Sequence, residues 1–439
     1  MTFISHNVSV TYTKDIAPIL FQNCATCHRP GQIAPFSLMT YQEAVKQAKS
    51  LASSTASRSM PPWKPVPGYG EFQGERRLTD EQIALFQKWA DTGAKKGNPA
   101  DLPPMPKFTE GWQLGKPDLT FEMPKPYTLQ PDGSDVYQCF VLPFKFSSDR
   151  YISAIEIKPG NSRIVHHSTL HQIPSQLAEN IQADNQKDKN QVGYECFGDV
   201  GRDRQGKPII APNIGAWVPG RTTQFLPDGM ARVIKKDSQL ILQNHYHRNG
   251  QKETDQTVVG IYFSKTPPKK MLQGVPLLQV NLAIPAGEKS YKTTASYTLP
   301  VDFDIVQIIP HMHWLGKQMK VTATLPDGTV KPMIWIKDWD FDWQDQYQYK
   351  KPVHLPQGTK LEMEAIYDNS EDNPRNPNNP PKLVTWGEQT TDEMALCGIQ
   401  IAVALDDQQS LDKVKQLQQR IRTTYLEYLE RHHPSEPKS

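Results

Sequence analysis

At 439 residues the chain is long enough for about three domains. Its 49 Lys+Arg against 47 Asp+Glu leave a net charge of +2, which gives no bias toward nucleic acid or a membrane surface, and no run of about 18 apolar residues occurs that would span a membrane. A composition 37% hydrophobic and 22% charged excludes wholesale disorder, while 38 prolines against 26 glycines fit a loop-rich protein of short strands better than a helical bundle.

The start, Met1 to His6, shows no basic stretch followed by an apolar one, so the expectation is a cytosolic protein or one whose targeting peptide has been removed. From Lys14 to about Gly97 the sequence reads as helical. Asp15-Ile16-Ala17-Pro18-Ile19-Leu20 opens one helix, and Tyr41 to Leu51 keeps an apolar spacing near 3.6. Leu78 to Ala90 forms another, with Thr79 or Asp80 as cap and Ile83, Phe86 and Ala90 on one face. Asn98 to Lys107 is a Pro-rich linker.

Beyond the linker the period changes to two. Ile155 and Ile157 mark one short strand and Lys320 to Leu325 another. Three Pro-Asp-Gly turns, at 131–133, 227–229 and 326–328, punctuate the apolar runs. So long a β region exceeds one ordinary sandwich, and turn chemistry divides it in two near Thr266-Pro267-Pro268. An amphipathic helix from about Ser410 to His432 carries Val414, Leu417, Ile421, Tyr425 and Tyr428 on one face, and the charged tail from Arg431 to Ser439 is expected to fray.

Cys24-Ala25-Thr26-Cys27-His28 is the pattern for covalent haem attachment. Thiols at i and i+3 reach both vinyl groups of one porphyrin, and His28 then presents its imidazole to the iron. A zinc site would need a second CxxC or a histidine pair nearby, and neither is present. The remaining iron ligand should follow the motif; Met39 and Met60 are the local candidates, and Met60 is preferred because Met60-Pro61-Pro62-Trp63 is an extended segment that would hold the thioether in place. Pattern and layout of residues 14–97 look like a small class I cytochrome c domain.

Seven of the twelve histidines fall in three groups within the β region: His166, His167 and His171; His245 and His247; His311 and His313. In a strand, residues i and i+2 share a face, so His311 and His313 would stand side by side over about 6–7 Å, a bidentate clamp for a metal ion. Imidazole-rich sites without acidic partners suit copper or zinc better than calcium or magnesium.

Four segments carry a resemblance to a known family: Val165-His166-His167, Leu242 to Tyr246, His311 to Lys317, and Thr391 to Met394. In their order and spacing the region from Asp118 to Leu405 resembles the copper type II, ascorbate-dependent monooxygenases, a family that includes peptidylglycine α-hydroxylating monooxygenase and dopamine β-monooxygenase. The whole chain is similar to bacterial proteins that join a cytochrome c domain to this copper module, including the Asn/Pro loop from Tyr367 to Pro380. The resemblance implies two copper ions, one held by His166, His167 and His245 and used for electron transfer, the other held by His311, His313 and Met394 and used to activate dioxygen. A thioether such as Met394 favours Cu(I), which agrees with that role.

Two departures from the family argue against peptide amidation: Ile309 stands where the peptidylglycine enzyme has an arginine for its substrate's carboxylate, and Gly398 where it has a tyrosine. His247 could compete as a ligand or support one from outside, His171 could support one or simply be exposed, Cys139 and Cys196 could pair, and Cys397 is the odd thiol, expected to be buried.

The expected architecture is therefore multidomain: a small all-α class I cytochrome c domain (1–97), a Pro-rich linker (98–116), two all-β jelly-roll sandwich domains (117–266 and 267–406), each with one copper, and a C-terminal helix and tail (407–439). The expected function is hydroxylation of a C–H bond of a small organic substrate with dioxygen, its electrons delivered by haem c from an external donor. Covalent haem attachment places such a protein in the periplasm or otherwise outside the cytoplasm. The alternatives are a non-catalytic haem/copper electron-transfer or copper-binding protein, and a copper enzyme that uses peroxide.

Overall fold

A computed structural model describes residues 9–432 except 33, 109–110, 145, 179–180, 182–191, 197–199, 202–208, 210, 219–222 and 388. The molecule is mostly β-sheet and ends in a helix, and among the described residues no helix is long and apolar enough to cross a membrane. The chain divides into two compact units, one of residues up to Trp63 and from Gly74 to Gln113, the other of Lys64–Gln73 and everything from Leu114 onward.

The first unit is helical. A π-helical turn at Tyr12–Ile16 runs into the helix Ala17–Asn23. The run expected to continue from Tyr41 to Leu51 breaks at Gln47 into two helices, Tyr41–Lys46 and Ala48–Ala56. The helix Asp80–Asp91 is capped by Thr79 rather than Asp80: the Gln82 backbone N–H donates to the Thr79 hydroxyl at 3.2 Å, and the Thr79 N–H donates to Gln82 Oε1 at 2.9 Å. Its most buried residues are Phe86 and Trp89, with Ile83 and Ala90 at the margin, because the indole enters the apolar core and packs 6.3 Å from the Tyr12 ring. Trp89 thus joins the buried stripe expected from Ile83, Phe86 and Ala90. The linker opens with a 3₁₀ turn, Pro99–Asp101, capped by Asn98.

In the second unit a five-stranded sheet lies over the first half of a nine-stranded one, and their facing apolar residues, among them Phe140, Leu142, Ile157, Leu170, Leu242 and Ile261, form the core. A four-stranded sheet is built from Tyr291–Thr298, Lys360–Tyr367, Gly316–Thr324 and Val330–Ile336. Ile155 and Ile157 do share a core-facing side of the strand Arg150–Lys158, but the polar alternate is not exposed. Glu156 is buried on the opposite face, where it accepts from the Tyr262 hydroxyl and the Leu114 N–H.

The division near Thr266-Pro267-Pro268 falls between the strands Val258–Phe263 and Lys270–Gly274 of one sheet. That sheet runs through both halves, since Lys270 and Met271 pair in parallel with Met230 and Ala231 of the strand Met230–Ile234. Lys64–Gln73, expected inside the helical domain, belongs to the β unit. Pro65 bridges Ile336, Phe72 bridges Tyr349, and the Lys350 N–H donates to Glu71. The closing helix spans Gln408–His432 and buries Leu411, Val414, Leu417 and Tyr428. Most of the tail expected to fray lies outside the described residues.

Candidate metal centres

Three strand positions build the first centre. His166 and His167 lie near the start of Val165–Pro174, and His245 near the end of Ser238–Tyr246; these strands are neighbours, and His167 pairs directly with His245. Their Nδ1 atoms face one another at 3.2 Å (His166 to His245), 3.4 Å (His166 to His167) and 3.4 Å (His167 to His245). The centre of such a triangle lies about 1.9 Å from each nitrogen, close to the usual metal–imidazole bond length. A cation at that point satisfies all three lone pairs at once, so the donor set fits one bound ion.

The protonation state follows from the neighbours. His245 Nε2 donates to Asp135 Oδ2 at 2.8 Å, which fixes its proton on the outer nitrogen and leaves Nδ1 free to ligate. Tyr137 stacks on the same ring at 4.2 Å. Burial, reinforced by His245, pushes His166 down to about 4, and burial likewise holds His167 well below the ordinary imidazole value. Burial works against the Asp135 carboxylate, but hydrogen bonds and charge from His245 and His247 outweigh it and keep its pKa low.

His247 does not compete for this centre. The strand ends at Tyr246, and the exposed His247 ring donates from Nδ1 to Asp135 Oδ1 at 3.0 Å. It thus shares the carboxylate that orients His245. His171 is neither exposed nor joined to the triad: Nδ1 donates to the Ala211 carbonyl at 3.3 Å, Nε2 meets the Thr169 hydroxyl at 2.8 Å, and burial pushes it down to about 4.

The second set begins at His311, the last residue of the strand Phe303–His311. His313 lies beyond the strand end, so the two rings are not parallel neighbours on a pleat. They meet edge to face with centroids 5.1 Å apart. Each Nδ1 is engaged by the protein: His311 donates to Gln344 Oε1 at 2.5 Å and His313 to the Asp392 carbonyl at 3.2 Å, leaving both Nε2 atoms to ligate. Burial lowers both, His313 to about 3.

Met394 is buried two residues before the strand Leu396–Ala404, which pairs His311 with Leu396, and its N–H shares Glu393 Oε2 with the N–H of His313. Glu393 ties this corner together by accepting from the N–H groups of His313 (2.9 Å), Leu315 (2.6 Å) and Met394 (3.1 Å). Burial raises its pKa to about 8 against the pull of those donors. Two imidazole nitrogens and a thioether form a soft, incomplete set that suits Cu(I) better than a hard cation. Ile309 and Gly398 are directly paired across these strands on the same side as His311, so both departures from the family pattern fall on one patch.

In the helical unit, Cys24 follows the helix Ala17–Asn23, and the turn behind it is closed by the His28 N–H donating to the Cys24 carbonyl at 2.9 Å. His28 Nδ1 donates to the Phe36 carbonyl at 3.1 Å, again leaving Nε2 free. Both thiols are free, and burial pushes Cys24 up to about 12. Arg29, the next residue, carries a buried Nε with no hydrogen-bond partner. Two free thiols, Cys24 packed against the apolar core, with an oriented imidazole and an orphaned donor fit a covalently attached prosthetic group. The Met60 N–H donates to the Ser54 carbonyl at 3.1 Å with its side chain half-buried, whereas Met39 is buried and its carbonyl lies 3.5 Å from the Tyr12 hydroxyl. Cys139 and Cys196 form a disulfide, with Cα atoms 5.8 Å apart, and Cys397 is a buried free thiol.

Asp135, Gln344 and Glu393 carry no functional signal in the sequence by themselves. Asp135 lies two residues after the Pro131-Asp132-Gly133 turn, a place where a loop residue can reach back over a strand end. Gln344 carried no comparable signal.

No family model matches the sequence, and no curated protein matches it. Among solved structures the chain is similar to PNGF-II in two crystal forms, with 8% and 9% identity, TM-scores of 0.29 and 0.26, and coverage of 65% of this chain in each case and 65% and 66% of that one. It is also similar to the infectious bursal disease virus VP2 subviral particle, with 8% identity, a TM-score of 0.20, and coverage of 66% of this chain and 73% of that one. The chain spans about two thirds of the length of PNGF-II, and likenesses this distant carry no argument about fold or function.

Proposed function

We propose that this chain is a copper-dependent monooxygenase that hydroxylates a C–H bond of a small organic substrate, one oxygen atom entering the product and the other leaving as water. The observation that carries the reading is the triangle of Nδ1 atoms from His166, His167 and His245, backed by Asp135. His166, His167 and His245 would hold one copper ion, and His311, His313 and Met394 the other. Cys24 and Cys27 would hold haem c through thioether bonds, with His28 and Met60 as iron ligands.

When bound, these groups supply one-electron storage and the reduction of dioxygen, and the haem receives electrons from an external donor. The protein's own part is orientation and exclusion of water. Asp135 keeps the His245 proton on Nε2, while Gln344 and the Asp392 carbonyl do the same for His311 and His313 from their Nδ1 sides. Trp339, buried, donates from its indole N–H to the His313 carbonyl at 3.2 Å and closes that corner to solvent. Beside His311, the paired Ile309 and Gly398 offer an apolar step with no charge for a carboxylate, which favours an uncharged, apolar reacting end on the substrate.

The N-terminal unit supports the finer reading of a small cytochrome c domain, and the sheets of the second unit that of two jelly rolls. The Cys139–Cys196 disulfide favours an oxidising compartment such as the periplasm. The test is copper and haem content of the full chain, followed by oxygen uptake of reduced protein with and without candidate apolar substrates. We expect two coppers and one haem per chain and substrate-dependent uptake that His311→Ala abolishes. Metal binding with no such uptake from any substrate would instead support a non-catalytic electron carrier, and uptake only with peroxide a peroxide-using enzyme.

A further inference from the structure

The connection between the strands Val330–Ile336 and Tyr347–Leu355 alternates aromatic and acidic residues, Asp338-Trp339-Asp340-Phe341-Asp342-Trp343, and reaches both histidine sets. Phe341 is buried, and its ring centroid lies 6.3 Å from that of His166 at an interplanar angle of 23° and 5.9 Å from that of His313 at 89°. Trp314 packs on it at 4.8 Å. The same loop supplies the indole that binds the His313 carbonyl and the Gln344 amide that accepts from His311, and Gln344 Nε2 donates back to the Phe341 carbonyl at 3.0 Å.

The loop is clamped from outside. Arg375 Nη1 donates to Asp340 Oδ1 at 2.6 Å, and Lys64 Nζ lies 3.3 Å from Asp340 Oδ2 and 3.4 Å from Asp338. Both Lys64 and Asp340 are largely buried, so this ion cluster is better shielded than a surface pair. Arg375 comes from the Asn/Pro loop, which is itself fixed by Asn side chains. Asn369 Nδ2 donates to three carbonyls, those of Ile284, Pro285 and Lys382, and Asn376 donates to Asn369 Oδ1.

We propose that this loop is a wedge whose Phe341 ring is the spacer that keeps the two histidine sets as separate single-ion centres, with Asp340 locking it in place through Lys64 and Arg375. Without the ring, His166 and His313, the member of each set that touches it, would face a shared gap in which an ion could recruit ligands from both sets. A benzene ring neither ligates nor hydrogen-bonds, so it fills the gap without joining either centre. This inference rests on the proposed function's two metal sites.

The test loads the full chain with copper(II) and records its EPR spectrum. Wild type is expected to show a spin count equal to its copper content and one well-defined dipolar coupling. Phe341→Ala is expected to lower the spin count below the copper content, as ions couple across the gap, and to broaden the dipolar coupling. Phe341→Leu, which keeps apolar bulk, restores the wild-type spectrum. Asp340→Asn leaves every cluster residue in place and is expected to broaden the coupling at unchanged copper content, so it decides the matter should Phe341→Ala fail to fold. An unchanged spectrum in Asp340→Asn and, where it folds, in Phe341→Ala, with two coppers bound, overturns the wedge while leaving the metal assignment intact. Fewer than two coppers in wild type overturns that assignment and the wedge with it.

Discussion

At the scale of single residues, buried imidazoles contribute to the pH response of the protein. His171 lies apart from the metal centres, and burial lowers its pKa from 6.5 to about 4. The folded ring therefore stays neutral while the unfolded one takes up a proton. Its contribution to stability is full above about pH 6.5 and is lost as the pH falls toward 4, by about 3 kcal/mol at the lower end. Chemical denaturation of the metal-free protein at pH 7 and pH 4.5 should show a drop that includes this share, and His171→Gln should make the drop smaller by about that amount. An equal slope in the variant would mean that His171 does not titrate in this way.

The proposed ligand residues stand out in the sequence because their spacing is local: Cys24, Cys27 and His28 lie within five positions, and His166/His167 and His311/His313 are near neighbours in the chain. Their supports were not. Asp135 lies 110 residues from His245 and Gln344 lies 33 from His311, so only the folded chain brings them together. The ligand role proposed for Met394 comes from resemblance alone, since a lone methionine reads by pattern as core.

Among elements, the places where pattern failed share a cause. The period of two carries His311 only to the end of its strand; His313 is placed instead by Glu393, which gathers the backbone N–H groups of the following turn. Periodicity sees the side chains of a strand but not the carboxylate that captures its end. Likewise the helix pattern from Tyr41 onward missed the break at Gln47, where apolar spacing continues although the backbone does not.

The disulfide acts at this scale as well. Cys139 sits on the strand Val136–Leu142, paired with Gln243 two residues before His245, and it is tied to Cys196 across a separation of 57 residues. Closing a loop of that size stabilises by about 4 kcal/mol in the chain-entropy estimate. The double variant Cys139→Ser/Cys196→Ser should lose stability of that order in a denaturant titration. A loss below about 1 kcal/mol would show that the unfolded chain is already restrained there.

For the molecule as a whole, the division into a helical and a β unit means that each has a core of its own. The proposed haem attachment and copper binding should therefore separate by mutation. Cys24→Ser/Cys27→Ser is expected to abolish haem that survives denaturing electrophoresis while copper content stays at the wild-type value. Covalent haem persisting in that variant would refute the attachment site. The β content and the closing helix were readable from turn signals and amphipathic spacing. That Lys64–Gln73 would leave the helical unit was not, because its partners Ile336 and Tyr349 lie more than 250 positions downstream.

The parallel seam between Lys270–Met271 and Met230–Ala231 is only two rungs long, yet it welds both halves of the β unit into one sheet. Pulling the halves apart would rupture backbone bonds, whereas rotating one against the other bends so short a weld only slightly, in the sense in which sheets already twist. Torsion is thus the compliant coordinate of this unit, and any breathing of its two halves should follow a screw-like path instead of the opening of a jaw.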